Sequence, residues 1–146
     1  MQLTRYSDYS LRVLIYLAVR SDRLVTIEEI AQAYDISKAH LMKVVHQMGR
    51  AGFLETVRGR GGGFRLARAP EEILVGDVIR HTEDKLDLVE CFDPDTSRCR
   101  IEPACGLRGV LEEALDAFLE TLDRYSLADL VARRRKPLDR LLRVVS

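Results

Sequence analysis

The run Arg58-Gly59-Arg60-Gly61-Gly62-Gly63 restricts the fold of this chain more than any other feature. It lies between two short β-patterned stretches, Phe53 to Val57 and Phe64 to Leu66. Glycine admits the positive φ values of tight reversals. A glycine-rich turn between two such stretches reads as a β-hairpin. Three helical patterns precede it. Ser7 is placed to cap a first helix running to about Arg20, with Tyr9, Val13, Leu14, Leu17 and Ala18 at helical spacing. Thr26-Ile27-Glu28-Glu29 is a capping box that opens a short helix, Ile27 to Tyr34. After a turn at Asp35-Ile36, Ser37 caps a third helix from Lys38 to about Arg50. Its inner face is Leu41, Val44, Val45 and Met48, and Gly52 ends it. Three helices, a short turn between the second and third, and a hairpin make a winged helix-turn-helix.

Pro70 with Glu71 and Glu72 opens a new segment, and a helix from Val75 to His81 follows. Residues 90–106 contain Pro94, Pro103 and Gly106, which resist regular structure. A long helix from Leu107 to about Tyr125 carries Leu111, Leu115, Phe118, Leu122 and Tyr125 as one apolar stripe. Ser126 caps a short last helix through about Arg133, and the rest is a basic tail, mobile at its end. The expected class is mostly α with a small β-hairpin. The expected division is a DNA-binding winged helix at 1–70, a connecting helix and loop at 71–106, a dimerisation helix and short helix at 107–132, and a basic tail at 133–146. The long stripe is too apolar for a lone surface helix. Pairing with its twin in a homodimer buries it most simply, with some packing on its own chain.

All three cysteines, Cys91, Cys99 and Cys105, fall inside that irregular loop as C-x7-C-x5-C. An odd number of clustered thiols cannot close a disulfide framework. Thiolates are soft ligands for zinc, Cu(I) or iron–sulfur clusters, and three are one short of the usual four. Either a non-cysteine ligand completes the site, or one position stays open. Unrelated packed thiols are the simpler alternative.

The net charge of zero hides an asymmetry: +5 over residues 1–70, −9 over 71–126 and +4 over 127–146. A basic first half suggests that only this end meets a polyanion, although solvated surface charge would look the same. In a helix-turn-helix the second helix enters the major groove N-terminal end first. Ser37, Lys38, His40 and Lys43 are therefore placed nearest DNA, with Gln47 further along. Arg58, Arg60 and Arg65 of the wing are placed for phosphates or the minor groove. No Lys-Ser/Thr follows the glycines and no G-x-G-x-x-G is present, so a nucleotide fold is not expected. No catalytic triad or His-Glu-x-x-His motif appears, so no enzyme is expected. No stretch approaches the roughly 18 apolar residues of a membrane span, which leads to the expectation of a cytoplasmic chain with reduced thiols.

Across residues 1 to about 132 the chain resembles the winged-helix iron–sulfur repressors that include IscR and NsrR, and within them the nitric-oxide-sensing branch. The resemblance is carried by Leu3-Thr4-Arg5-Tyr6-Ser7-Asp8-Tyr9, Ile36-Ser37-Lys38-Ala39-His40-Leu41, Arg58 to Phe64, Val89-Glu90-Cys91-Phe92, Cys99 and Pro103-Ala104-Cys105. It implies a homodimer on a palindromic operator, with one iron–sulfur cluster per protomer, [4Fe–4S] in first place and [2Fe–2S] in second. It implies Cys91, Cys99 and Cys105 as ligands, and Asp8 from the partner subunit as the fourth. Members of the IscR kind complete the site with a histidine shortly after the third cysteine, and Arg108 stands in that neighbourhood here. Arg12, one turn after Asp8, would pair with it when the cluster is lost. Two other readings stay open: a regulator of iron–sulfur assembly or iron status, and a zinc-stabilised winged-helix interaction module.

Overall fold

Helix α1 (Arg5–Val19) begins one residue after Thr4, so the cap is Thr4 and not Ser7. The Thr4 side chain accepts the Ser7 N–H at 3.2 Å, which is the usual task of an N-cap oxygen. Ser7 itself is fully buried inside the first turn. The computed structural model describes residues 1–143. Helix α2 (Ile27–Tyr34) has the capping box read from Thr26 and Glu29. Helix α3 (Lys38–Arg50) follows, although Ser37 makes no side-chain cap bond. It closes with a Schellman pattern, Phe53 N–H to Met48 O at 3.0 Å and Gly52 N–H to Gly49 O at 3.1 Å. Gly52 supplies the left-handed φ of +84° that this closure requires.

Strands β1 (Leu54–Val57) and β2 (Gly63–Leu66) pair antiparallel, with Glu55 opposite Arg65 and Thr56 opposite Phe64. Phe64 also exchanges two backbone hydrogen bonds with Val25, at 2.8 and 3.0 Å, which pins the wing to the segment before α2. A Cβ at position 63 would lie 2.5 Å from the Val25 carbonyl, so glycine is needed for that approach.

Helix α4 (Val75–Thr82) lies where the sequence places it, and α5 (Gly106–Asp123) and α6 (Leu127–Ala132) follow the loop. The segment expected as a basic tail instead contains a seventh helix, α7 (Arg135–Leu141). Arg20 of α1 ion-pairs with Asp139, Arg135 donates to the Val19 carbonyl at 3.1 Å, and Leu142 is buried. The run is basic, but Leu138 and Leu142 beside it share one side and pack on the core. The expected mobility of the extreme end falls on residues 144–146, outside those described.

One core joins the elements. It takes Val13, Leu14 and Leu17 from α1, Ile30 from α2, Leu41 and Met48 from α3, Phe64 from the wing, Val78 from α4 and Leu127 and Val131 from α6. Helix α1 is its central beam, packed against α3 on one side and α4, α6 and α7 on others. Helix α5 differs: no residue along it is fully buried. Its expected stripe is half-buried from Leu111 to Leu122, with Leu115 and Phe118 turned toward Leu3 and Leu86, while Tyr125 lies past the helix end and is exposed. A second row stands free, with Leu107 61 % and Val110 60 % exposed, and Ala114 and Ala117 following at helical spacing.

Candidate nucleic-acid interface and thiol loop

The face of α3 away from the core carries Lys38, His40, Lys43 and Gln47, all exposed, with Ser37 exposed at its start. Burying Leu41, Val44, Val45 and Met48 leaves these positions outward. Lys38 is not wholly free, since it ion-pairs with Glu28 of α2. That hydrogen bond is the main reason the Glu28 carboxyl lies below its usual range. Lys43 has no ion-pair partner among the described residues.

The wing places Arg58 and Arg60 at its tip, exposed and outside every ion pair among the described residues. Gly59 at φ +104° and Gly61 at φ +74° turn the tip in a region that side chains rarely enter. A Cβ at position 62 would lie 2.3 Å from the Val57 carbonyl, so the reversal is too tight for any side chain there. Arg65 lies lower on the wing, and its guanidinium meets Glu55 across the strands at 3.2 Å. Of the three wing arginines, Arg58 and Arg60 present uncompensated charge.

Helical spacing puts Tyr9 on the apolar face of α1, where it does pack against the core, and singles out neither Arg5 nor Tyr6. These three line a cleft with His40, Lys43 and Gln47, and the Tyr9 ring lies 6.2 Å from that of His40. The start of α1 is therefore part of the same surface as α3. The signal is present in Leu3-Thr4-Arg5, a basic residue at the start of a helix, but periodicity alone does not say which helix lies beside it.

Asp8 and Arg12 lie one turn apart on α1 and make a bidentate pair, Nε to Oδ1 at 3.0 Å and Nη2 to Oδ2 at 2.9 Å. The Arg12 guanidinium lies 5.7 Å from the Tyr9 ring centre and 5.9 Å from that of Tyr34. The pair thus borders the α1–α3 cleft.

The thiol loop runs from α4 to α5 with short 3-10 turns at Glu90–Phe92 and Glu102–Ala104. Cys91 lies in the first turn and is only 8 % exposed, Cys99 and Cys105 are half-buried, and all three are free thiols. Cys105 also occupies the N-cap position of α5 without a side-chain cap bond. The loop is braced by ion pairs on both sides. Lys85 donates to Asp93 at 2.5 Å, and this bond is the leading reason Asp93 lies below the usual carboxylate range. Arg108 reaches Glu112 and Glu102, each at 2.9 Å. Its basicity is raised first by Glu112 and, more weakly, by the neighbouring Cys91.

Three soft donors free of any disulfide suit iron or zinc chemically. Their present arrangement is not closed around an ion: among the described residues no three His, Cys, Asp or Glu side chains converge as a metal group. Asp8 is engaged with Arg12 rather than with the loop. His81 lies against Phe53, with ring centres 5.6 Å apart.

Residues 3–133 match a family model described as Rrf2, iron-dependent transcriptional regulator. The chain is 55% identical over 132 residues to an HTH-type transcriptional regulator NsrR of Bacillus licheniformis, covering 90% of this chain and 92% of that one. It is 52% identical over 145 residues to the NsrR of Bacillus subtilis, covering 99% of each. Among solved structures it is similar to T. potens IscR, with a TM-score of 0.75 and 25% identity over 94% of this chain and 90% of that one.

Proposed function

This chain belongs to the Rrf2 family of transcriptional regulators, and from that premise we propose that it is a homodimeric repressor whose grip on DNA is set by an iron–sulfur cluster and released by nitric oxide. It is a regulator and not an enzyme, as the family and the named relatives have it. The observation that carries the reading is the joint one: a basic α3-and-wing surface, and a loop of three free thiols on the same small core.

Residues 1–70 form the DNA-binding unit, 71–106 the connecting helix and loop, and 107–132 the dimer-forming segment. Within the expected tail, Arg135–Leu141 forms α7, which packs on α1 and α6. Ser37, Lys38, His40, Lys43 and Gln47 approach the major groove, while Arg58, Arg60 and Arg65 reach phosphates or the minor groove. A dimer sets two α3 helices about one helical turn apart, roughly 34 Å, which requires a palindromic operator. The exposed row Leu107, Val110, Ala114 and Ala117 supplies an apolar face for the two-fold seam.

Cys91, Cys99 and Cys105 would hold the cluster, with Asp8 of the partner subunit as the fourth ligand. When bound, the cluster supplies iron sites that nitric oxide can attack, in a [4Fe–4S] form by preference and a [2Fe–2S] form otherwise. A carboxylate is a harder and weaker partner for iron than thiolate, so the Asp8 position is the labile one. Arg12 competes for the same carboxylate, and the bidentate pair is the arrangement Asp8 adopts when it is not a ligand. Because Arg12 lies over Tyr9, which packs beside His40, exchange between these two states would change the surface beside α3. The similarity to NsrR relatives favours nitric oxide over iron status as the signal.

The test is anaerobic reconstitution followed by nitric oxide titration under absorbance and Mössbauer spectroscopy. Gel shifts run in parallel on a duplex selected from a random pool by the reconstituted protein. A brown protein that bleaches stoichiometrically as DNA is released is the expected result. A cluster that ignores nitric oxide points to iron status. A colourless protein that retains zinc points to a structural metal. Asp8→Ala with an unchanged spectrum and an unchanged response would remove Asp8 from the ligand set.

A further inference from the structure

We infer that Glu83 is a positioning residue that ties the thiol loop to the first turn of α1, so that a change in the loop reaches the DNA-reading surface through its carboxylate. The inference rests on the regulatory reading above.

Glu83 is the residue at which α4 ends and the loop begins, and its backbone is extended there. Three donors meet on its Oε1: the Thr4 N–H at 2.8 Å, the Thr4 hydroxyl at 3.0 Å, and the Ser7 hydroxyl. The Ser7 hydroxyl also lies 2.7 Å from that of Thr82, which in turn donates to the Val78 carbonyl at 2.8 Å. Ser7 and Thr82 are buried. A buried hydroxyl that loses its partner is costly, so this node resists partial loosening. A carboxylate at a helix N-terminus is further favoured by the helix dipole. Burial raises the Glu83 pKa, and the hydrogen bonds from Ser7 and Thr4 together outweigh it, leaving the carboxyl below its usual range.

The node is continuous in both directions. Thr4 O accepts the Asp8 N–H at 3.0 Å, so the backbone of the candidate ligand rests on a residue that Glu83 holds. One residue further, Tyr9 packs beside His40 of α3. On the other side, Lys85 grips Asp93, two residues beyond Cys91. The connection runs along the backbone from Cys91 to Asp93, through the ion pair to Lys85, along two residues of backbone to Glu83, and then by hydrogen bonds to Thr4 and Ser7 and from Thr4 to Asp8. Nothing in the sequence predicts it, because Thr4 and Glu83 are 79 residues apart.

The experiment compares wild type, Glu83→Ala and Glu83→Gln, the last keeping volume and one neutral acceptor should the alanine variant fold poorly. Each is assayed for affinity to the selected duplex in the reconstituted and the cluster-free state, and for amide hydrogen exchange at Ser7, Asp8 and Tyr9 in the cluster-free state. The expected result for Glu83→Ala is unaltered cluster absorbance, at least tenfold faster exchange in those amides, and at least a tenfold fall in the ratio of the two affinities. Glu83→Gln is expected between the two. A lower melting temperature with an unchanged affinity ratio would overturn the inference and leave Glu83 as a cap alone. Unchanged exchange at Ser7 to Tyr9 would overturn it independently of DNA. A wild-type ratio of one would instead overturn the regulatory reading, with the exchange result still deciding whether Glu83 holds α1.

Discussion

The winged half and the thiol half of this molecule are built to different standards of completeness. Helices α1 and α3 send Val13, Leu14, Leu41 and Met48 fully out of water, and both ends of α2 and the C-terminal end of α3 are capped. Helix α5, longer than either, buries no residue completely and leaves Leu107 and Val110 mostly exposed. Its loop is braced by exposed ion pairs such as Lys85–Asp93, of a kind that contributes little to stability. The first half is a finished single-chain core. The second leaves an apolar row uncovered within the protomer, which fits the proposed sensor loop beside a dimer seam.

The sharpest way to break this comparison is to cut into both halves equally. Leu14→Ala removes a fully buried side chain at the middle of the core and is expected to cost about 2–5 kcal/mol of unfolding free energy. Leu115→Ala, on half-buried α5, is expected to cost below about 1 kcal/mol in the cluster-free protomer, because less apolar area is lost from contact. Urea denaturation of dilute, cluster-free protein measures both. Equal losses would mean that the two halves are a single cooperative core and that α5 is not held in reserve for a partner.

How far each half was legible in the sequence follows the same line. Periodicity and capping are local, so α2, α3, the hairpin and α6 lie within a residue or two of where Thr26, Gly52, the glycine run and Ser126 place them. The errors came where the deciding partner is distant. Ser7 looks like a cap, but Thr4 takes that role because the Ser7 hydroxyl is claimed by Thr82 and Glu83. The basic run after Arg133 reads as a tail, but α7 forms there and is held by Arg20 and the Val19 carbonyl, more than a hundred residues away in sequence. For the site, the outward residues of α3 and the wing were readable from the inward ones. The role of Arg5 and Tyr9 was not, since spacing along α1 says nothing of its neighbour α3. The thiols were evident from composition, while their spatial arrangement is a property of an irregular loop that no periodicity encodes.

A smaller effect tests what completes the second half. Val110→Glu puts a charge in the exposed row of α5 and is expected to weaken the dimer about ten- to hundredfold, equivalent to about 1.4–2.8 kcal/mol. Sedimentation across a concentration series reads the constant, and circular dichroism should show the protomer unchanged, since Val110 touches little of its own chain. An unaltered constant would move the seam off the row formed by Leu107, Val110, Ala114 and Ala117.

The smallest expected effect belongs to the winged half and shows how tightly it is closed. The Tyr34 hydroxyl donates to the Arg12 carbonyl at 3.0 Å beneath the Asp8–Arg12 pair. Burial pushes its pKa from 10.0 to about 12, opposed by the positive charge of Arg12 and reinforced by Tyr16. The folded value lies above the unfolded one, so the protonated form is favoured by folding. Its contribution is complete below pH 10 and is lost as pH rises from there toward about 12. With allowance for partial exposure, the loss is on the order of 1–2 kcal/mol. Tyr6 and Tyr16 are also raised, burial again being the leading cause, so the quantity to measure is the difference between wild type and Tyr34→Phe. Urea midpoints taken from pH 9 to 11.5 should converge as the wild type loses its advantage. Parallel curves would mean that water reaches the Tyr34 hydroxyl and that the winged half is looser beneath Arg12 than its packing indicates.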